Sequence, residues 1–126
     1  MDDAVFSKYV EEALGSLPAR FRKKLDNVVV TIEDYPNRFQ QMSARGGLLL
    51  GLYEGIPQTK RGSAYGIGGT MPDKITIFKN SILAIVRTEE EVVTQIRSTV
   101  LHEIAHHFGM DEHAVRKAET ARKKKR

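Results

Sequence analysis

Apolar residues recur at helical spacing from the start of the chain, where Phe6, Val10, Ala13, Leu14 and Leu17 predict an amphipathic helix over about Asp3 to Leu14, ended by Gly15 and Pro18. A second short helix is expected from Pro18 to Asp26. Asn27 then introduces Val28-Val29-Val30-Thr31-Ile32, a β-branched run too short for a helix and typical of a buried strand. Asp34 to Arg38, with Tyr35-Pro36-Asn37, breaks that run. Leu48 to Tyr53 reads as a second strand after Gly46-Gly47, and Lys74 to Phe78, alternating at the pleat period, as a third. Between them, Gly55 to Pro72 is a long connection rich in Gly and Pro, of a length that is often functional in compact domains. Asn80 to Val86 fits either a short helix or an extended segment. Thr88-Glu89-Glu90-Glu91 is a capping box, in which the Thr88 hydroxyl accepts from the amide of Glu91 while the Glu91 carboxylate reaches back. It opens a long helix whose apolar face, Val93, Ile96, Val100 and Ile104, continues to Phe108. Gly109 is placed to end this helix in the left-handed conformation, and Asp111 or Glu112 to start a last one.

Composition narrows the class. The chain has 126 residues, 40% hydrophobic and 29% charged, which fits one globular domain and excludes disorder throughout. The expected organisation is a single domain over residues 1–121 followed by a basic tail, 122–126. Lys and Arg number 20 against 16 Asp and Glu, for a formal net charge of +4. The last five residues, Arg122 to Arg126, are all basic, so without them 15 basic residues face 16 acidic ones and the body carries −1. The global charge therefore identifies a tail and not a nucleic-acid-binding domain. Cysteine is absent, which removes disulfides, thiolate metal sites and a cysteine nucleophile together. An acidic Met1-Asp2-Asp3 start and the lack of a long apolar run make a cytoplasmic location the expectation, with no membrane partner. Gly66-Ile67-Gly68-Gly69-Thr70 lacks the Gly-Lys-Ser/Thr and following helix of a phosphate loop, so it reads as a turn region.

The chemistry sits on the long helix. His102-Glu103-Ile104-Ala105-His106 matches HExxH, which places two imidazoles one turn apart on the same face, able to bind one metal ion. Glu103 lies about 100° round the helix, where its carboxylate can serve as general base beside the metal. A third ligand is then needed. Gly109 lets the chain reverse, and the residue six positions beyond His106 is Glu112, flanked by Asp111 and His113. Spacing favours Glu112 and leaves Asp111 and His113 as alternatives, because a turn can shift the register by one. His107 points about 100° away from His106 and reads as a packing residue, or one that supports a ligand, rather than as a ligand itself. Gln95 and Thr99 lie on the ligand face ahead of His102, where lining a cleft and facing solvent are equally open. Tyr53 and Tyr65 are expected to pack or to lie at the surface. Met42 and Met71 precede the motif, so neither supplies a methionine turn after it.

The stretch from Gln95 to Glu112 resembles the small bacterial zincin-like metallopeptidases, the minimal zincins, whose motif is HExxHxxGxxD. Length, the motif's position near the C-terminus, and the order of two helices, strands and motif helix extend the resemblance over most of the chain. It implies an α+β fold of minimal zincin type, a small mixed sheet with packed helices and an HExxH active-site helix near the C-terminus. It further implies Zn2+ held by His102, His106 and the acidic residue near position 112, Glu103 as catalytic base, and a peptide or protein substrate. In related zincins an edge strand receives the substrate backbone, and Lys74 to Phe78 is the expected counterpart. Glu112 stands where the family pattern has Asp, so either the longer carboxylate substitutes or Asp111 moves in.

Two other classes compete with a zinc peptidase. A metal-dependent endoribonuclease of the ribosomal-RNA maturation type carries HxxxHxxxxxH, but its third histidine falls on Glu112 here and it has no use for Glu103. With only the tail to attract phosphate, nucleic acid is disfavoured as a partner. A non-catalytic metal-binding module leaves Glu103 without a purpose.

Overall fold

The computed structural model describes residues 1–42, 47–55 and 72–124, with side chains to residue 120. The Gly66 to Thr70 segment, Tyr65, Met71 and nearly all of the long connection after Gly55 lie outside the described residues. The amphipathic start forms α1 (Asp3–Gly15), capped by the Asp2 carboxylate and burying Phe6, Val10 and Ala13. The expected second helix is α2 (Ala19–Arg22), which tightens into a 3-10 turn over Lys23–Leu25. Asn27, at φ 61°, turns the chain into β1 (Val28–Glu33). A short helix that the turn signals at Asp34 to Arg38 conceal, α3 (Arg38–Met42), follows. The second strand is shorter than its apolar run, β2 (Gly51–Glu54), and the third is β3 (Asp73–Phe78). The ambiguous segment after it is helical, α4 (Lys79–Ile85).

The long helix α5 (Glu89–Phe108) and the final helix α6 (Glu112–Lys124) complete a mixed α+β fold. Thr88 Oγ1 accepts from the Glu91 amide as expected, but the returning Glu91 carboxylate takes the amide of Arg87, one residue earlier than a regular box. Gly109 ends α5 at φ 68°, in the left-handed region that costs a residue with a Cβ roughly 1–2 kcal/mol. Among the described residues no helix is long and apolar enough to cross a membrane.

The sheet order is β1-β3-β2, with β1 parallel to β3 and β2 antiparallel to it. This corrects the expectation for Lys74 to Phe78. That segment is the central strand, its main chain paired to Val29–Glu33 on one side and to Gly51–Glu54 on the other, so it offers no free edge. Alternating apolar residues mark it as a strand, but the near-complete burial of Ile75, Ile77 and Phe78 belongs to a strand flanked on both sides. The edges are β1 and β2, and β2 lies against α5.

α5 is the hub of the core. Val92, Ile96, Val100, Leu101 and Ile104 are fully buried against α1, α4, α6 and the sheet. The contact with β2 is close enough to dictate a residue. A Cβ at Gly51 would stand 2.6 Å from Thr99 Cγ2 and 3.1 Å from the Thr76 carbonyl oxygen. Gly51→Ala is expected to destabilise the fold by about 1–3 kcal/mol through overpacking. Thr99→Ser removes that methyl while keeping the hydroxyl, and should recover part of the loss. Urea unfolding in a double-mutant cycle checks the coupling, and additive losses would show that the contact is not responsible.

Candidate metal centre

Burying Ile96, Val100 and Ile104 fixes the rotation of α5, which turns half-buried His102 and exposed His106 away from that face and leaves half-buried Glu103 beside it, toward β2. His102 Nδ1 lies 2.8 Å from the carbonyl oxygen of Ser98, one turn back, and 3.4 Å from Ser98 Oγ. A carbonyl only accepts, so Nδ1 carries a proton, and a ring with that proton alone has its lone pair on Nε2. That Nε2 faces Glu112 Oε1 at 3.4 Å. Two acceptors held face to face require either a second proton on the ring or a cation between them.

Of the three residues that the spacing leaves open beyond Gly109, Glu112 is the one whose carboxylate meets His102. Asp111 is occupied otherwise: its Oδ1 accepts from the Ala114 amide at 2.9 Å and caps α6. His113 lies on the far side of the turn, lining a separate concavity with Lys23 and Lys117. His106 is exposed one turn beyond His102, and no hydrogen bond or ion pair joins it to a described residue. Among the described residues, therefore, no three metal-binding side chains stand together: His102 and Glu112 are paired, and the His106 ring is not yet with them.

Glu103 is held by the sheet. Its Oε1 accepts the main-chain N–H of Tyr53 on β2 at 2.8 Å. Burial pushes the Glu103 carboxyl up from its ordinary range, and the Tyr53 N–H and the positive influence of His106 and His102 offset part of that rise. Tyr53 is in turn clamped. Its hydroxyl donates to Asp73 Oδ2 at 2.5 Å, and its ring stacks on His107 with centroids 3.9 Å apart and meets the Phe108 ring edge-on at 5.8 Å. Tyr53 and His107 thus pack as the sequence predicts. Beside His102 and Glu103 opens a cleft of about 340 Å³, walled by Leu48 to Gly51 and by Gln95, Ser98 and Thr99. Thr99 is buried, with its Oγ1 donating to the Gln95 carbonyl at 2.8 Å, which settles its place in the cleft wall.

Sequence reading missed Ser98, the main-chain role of Tyr53, and Asp73. The first was accessible, since position i−4 on a helix is where a His Nδ1 finds a carbonyl. The other two depend on how β2 docks, which no local pattern records.

A mixed α+β domain with a helix carrying HExxH against a small sheet defines a class, and the family comparison agrees with it. The chain belongs to the zincin-like metallopeptidase family, whose model matches residues 25–121. Among solved structures, a conserved hypothetical protein from Thermus thermophilus is similar, with 24% identity, a TM-score of 0.54, and coverage of 86% of this chain and 94% of that one. That likeness concerns the fold. No curated protein matches the chain.

The family implies zinc in general, and the donors present fit it. Imidazole nitrogen and carboxylate oxygen are ordinary zinc ligands, and two ligands about 2.0–2.1 Å from a tetrahedral zinc stand roughly 3.3 Å apart, close to the His102 to Glu112 separation. Nδ1 tied to a carbonyl is also the arrangement that orients a metal-binding imidazole.

The raised Glu103 carboxyl has a consequence for metal-free protein. A folded-state pKa above the unfolded one disfavours the charged form in the fold, so the wild type loses stability as pH rises from the unfolded pKa through the folded one. Glu103→Gln keeps an oxygen for the Tyr53 N–H and has no charge to bury. Its melting temperature is expected to match wild type at low pH and to exceed it progressively as pH rises through the carboxylate range. Thermal melts across that range in chelator check this, and an advantage that shrank with rising pH would refute the sign.

Proposed function

We propose that this protein is a zinc-dependent peptidase in which His102, His106 and Glu112 hold the metal and Glu103 is the general base. The observation that carries the reading is the facing of His102 Nε2 and Glu112 Oε1 at 3.4 Å with Nδ1 committed to Ser98, a spacing that a cation between the two groups would satisfy. His106 completes the set by rotation of an exposed ring, a motion fast on any catalytic timescale. Zinc, when bound, supplies Lewis acidity toward a water and toward a scissile carbonyl.

The chain's own groups supply the rest. The Tyr53 N–H fixes Glu103 Oε1, leaving the second carboxylate oxygen to take a proton and return it to the leaving amine. Partial burial raises the basicity of that carboxylate toward the working range. The cleft between Leu48 to Gly51 and the Gln95 to Glu103 face of α5 receives the substrate alongside these groups.

Metal analysis of purified, zinc-reconstituted protein is expected to give about one zinc per chain. His102→Ala, His106→Ala and Glu112→Ala should each lose it. Asp111→Ala should keep the metal and lose about 1 kcal/mol of stability with its helix cap. Glu103→Gln should keep the metal and lower peptide hydrolysis by at least ~100-fold. Wild-type protein that takes up no zinc on reconstitution, or Glu103→Gln protein as active as wild type, would sink the proposal.

A further inference from the structure

Arg20, Lys23 and Lys24 fall at i, i+3 and i+4 on α2 and the turn that extends it, and so share one side of that segment. The fold sets that side opposite Lys117 of α6, around a concavity of about 870 Å³ whose remaining wall is the turn from Phe108 to Asp111 with His113 and Ala114. Four cations line it against one carboxylate, Asp111, and one oxygen of that carboxylate already caps α6. Neither Arg20, Lys23 nor Lys117 forms an ion pair or side-chain hydrogen bond with a described residue, while the Lys24 ammonium lies 4.9 Å from the centre of the Phe108 ring. A body that carries −1 without its tail has thus gathered a local excess of positive charge in one recess. Like charges held together in a partly enclosed space repel, and they focus their field on whatever anion enters.

The position of the recess gives that field a use. Asp111 lines it, and the next residue, Glu112, touches His102. The recess and the proposed metal centre are therefore two sides of one turn, separated by a single residue of chain. We infer that this concavity binds carboxylate side chains of the peptide substrate, so that the enzyme selects acidic peptides. The inference rests on the peptidase reading for cleavage, but not for binding.

RNA would also seek positive charge, yet the one aromatic ring lining the recess, Phe108, is only 40% exposed. The Phe108 ring has Lys24 over it and is packed edge-on against Tyr53 and His107.

Fluorescein-labelled hexapeptides that differ only in two Glu or two Gln residues test the assignment. Their binding to the full-length protein is followed by fluorescence anisotropy in chelator, so that no hydrolysis intervenes. The Glu peptide is expected to bind at least about tenfold more tightly, and its affinity should fall as NaCl is raised from about 50 mM to about 500 mM. The double variant Lys23→Glu, Lys117→Glu loses no side-chain partner in the fold and should abolish the preference. Lys8→Glu with Arg38→Glu makes the same change in net charge outside the concavity and should retain it. Equal affinity for the two peptides, or equal loss in both double variants, would overturn the proposal. Tighter binding of a labelled hexauridylate than of the Glu peptide, removed by the same Lys23 and Lys117 changes, would overturn it in favour of RNA. Zinc-loaded protein that cleaves neither peptide while the Glu preference persists in chelator would leave the carboxylate site standing and count against the peptidase reading alone.

Discussion

A hydrogen bond joins the sheet to the motif helix: the main-chain N–H of Tyr53 donates to the Glu103 carboxylate. In an antiparallel pair, successive residues of a strand point their main-chain groups alternately toward the neighbour and away from it. The Leu50 carbonyl accepts from Phe78 on β3, so Tyr53, three residues on, faces outward from the sheet. α5 meets that outward donor with a side chain. Since each helical residue turns about 100°, pinning Glu103 there sets the orientation of everything else on α5. Ile96, Val100 and Ile104 are committed to the core, and His102 to the cleft side. The missing Cβ at Gly51 is part of the same constraint, because it lets β2 approach Thr99 closely enough for the bond to form.

A second set of contacts decides where α6 begins. Gly109 reverses the chain in the left-handed conformation, Asp111 caps the new helix, and the residue after the cap is directed at His102. Adjacent acids thereby divide two tasks that either is chemically able to perform. Arg97, buried on α5, locks the arrangement from behind by donating to the Ser16 hydroxyl and carbonyl and to the Ala118 carbonyl. The C-terminal end of α1 and the body of α6 are both anchored to the motif helix through one guanidinium, whose fork of donors suits several acceptors at once.

What could be read in the sequence was local. The limits of α5 follow from a cap, a periodic apolar face and a glycine, all within twenty or so residues of each other. The pairing of His102 with a residue beyond Gly109 was legible from spacing, although the choice between Asp111 and Glu112 turned on cap geometry. Strand order was not legible. Nothing in Lys74 to Phe78 states that it will be flanked on both sides, because the partners that flank it lie more than forty residues before it in one case and about twenty in the other. Charge behaved in the same way. Counting residues drew attention to Arg122 to Arg126, while Arg20, Lys23 and Lys24 meet Lys117 only through the fold.

The Glu103 carboxylate also has a role that needs no metal. An outward-facing main-chain donor on an edge strand is a point where a second chain can pair and continue the sheet. By accepting that N–H, Glu103 withdraws Tyr53 from intermolecular pairing at the rim closest to the helix. The proposed base and a guard against self-association are then one side chain. An apolar replacement at position 103 would leave that main-chain donor without its partner.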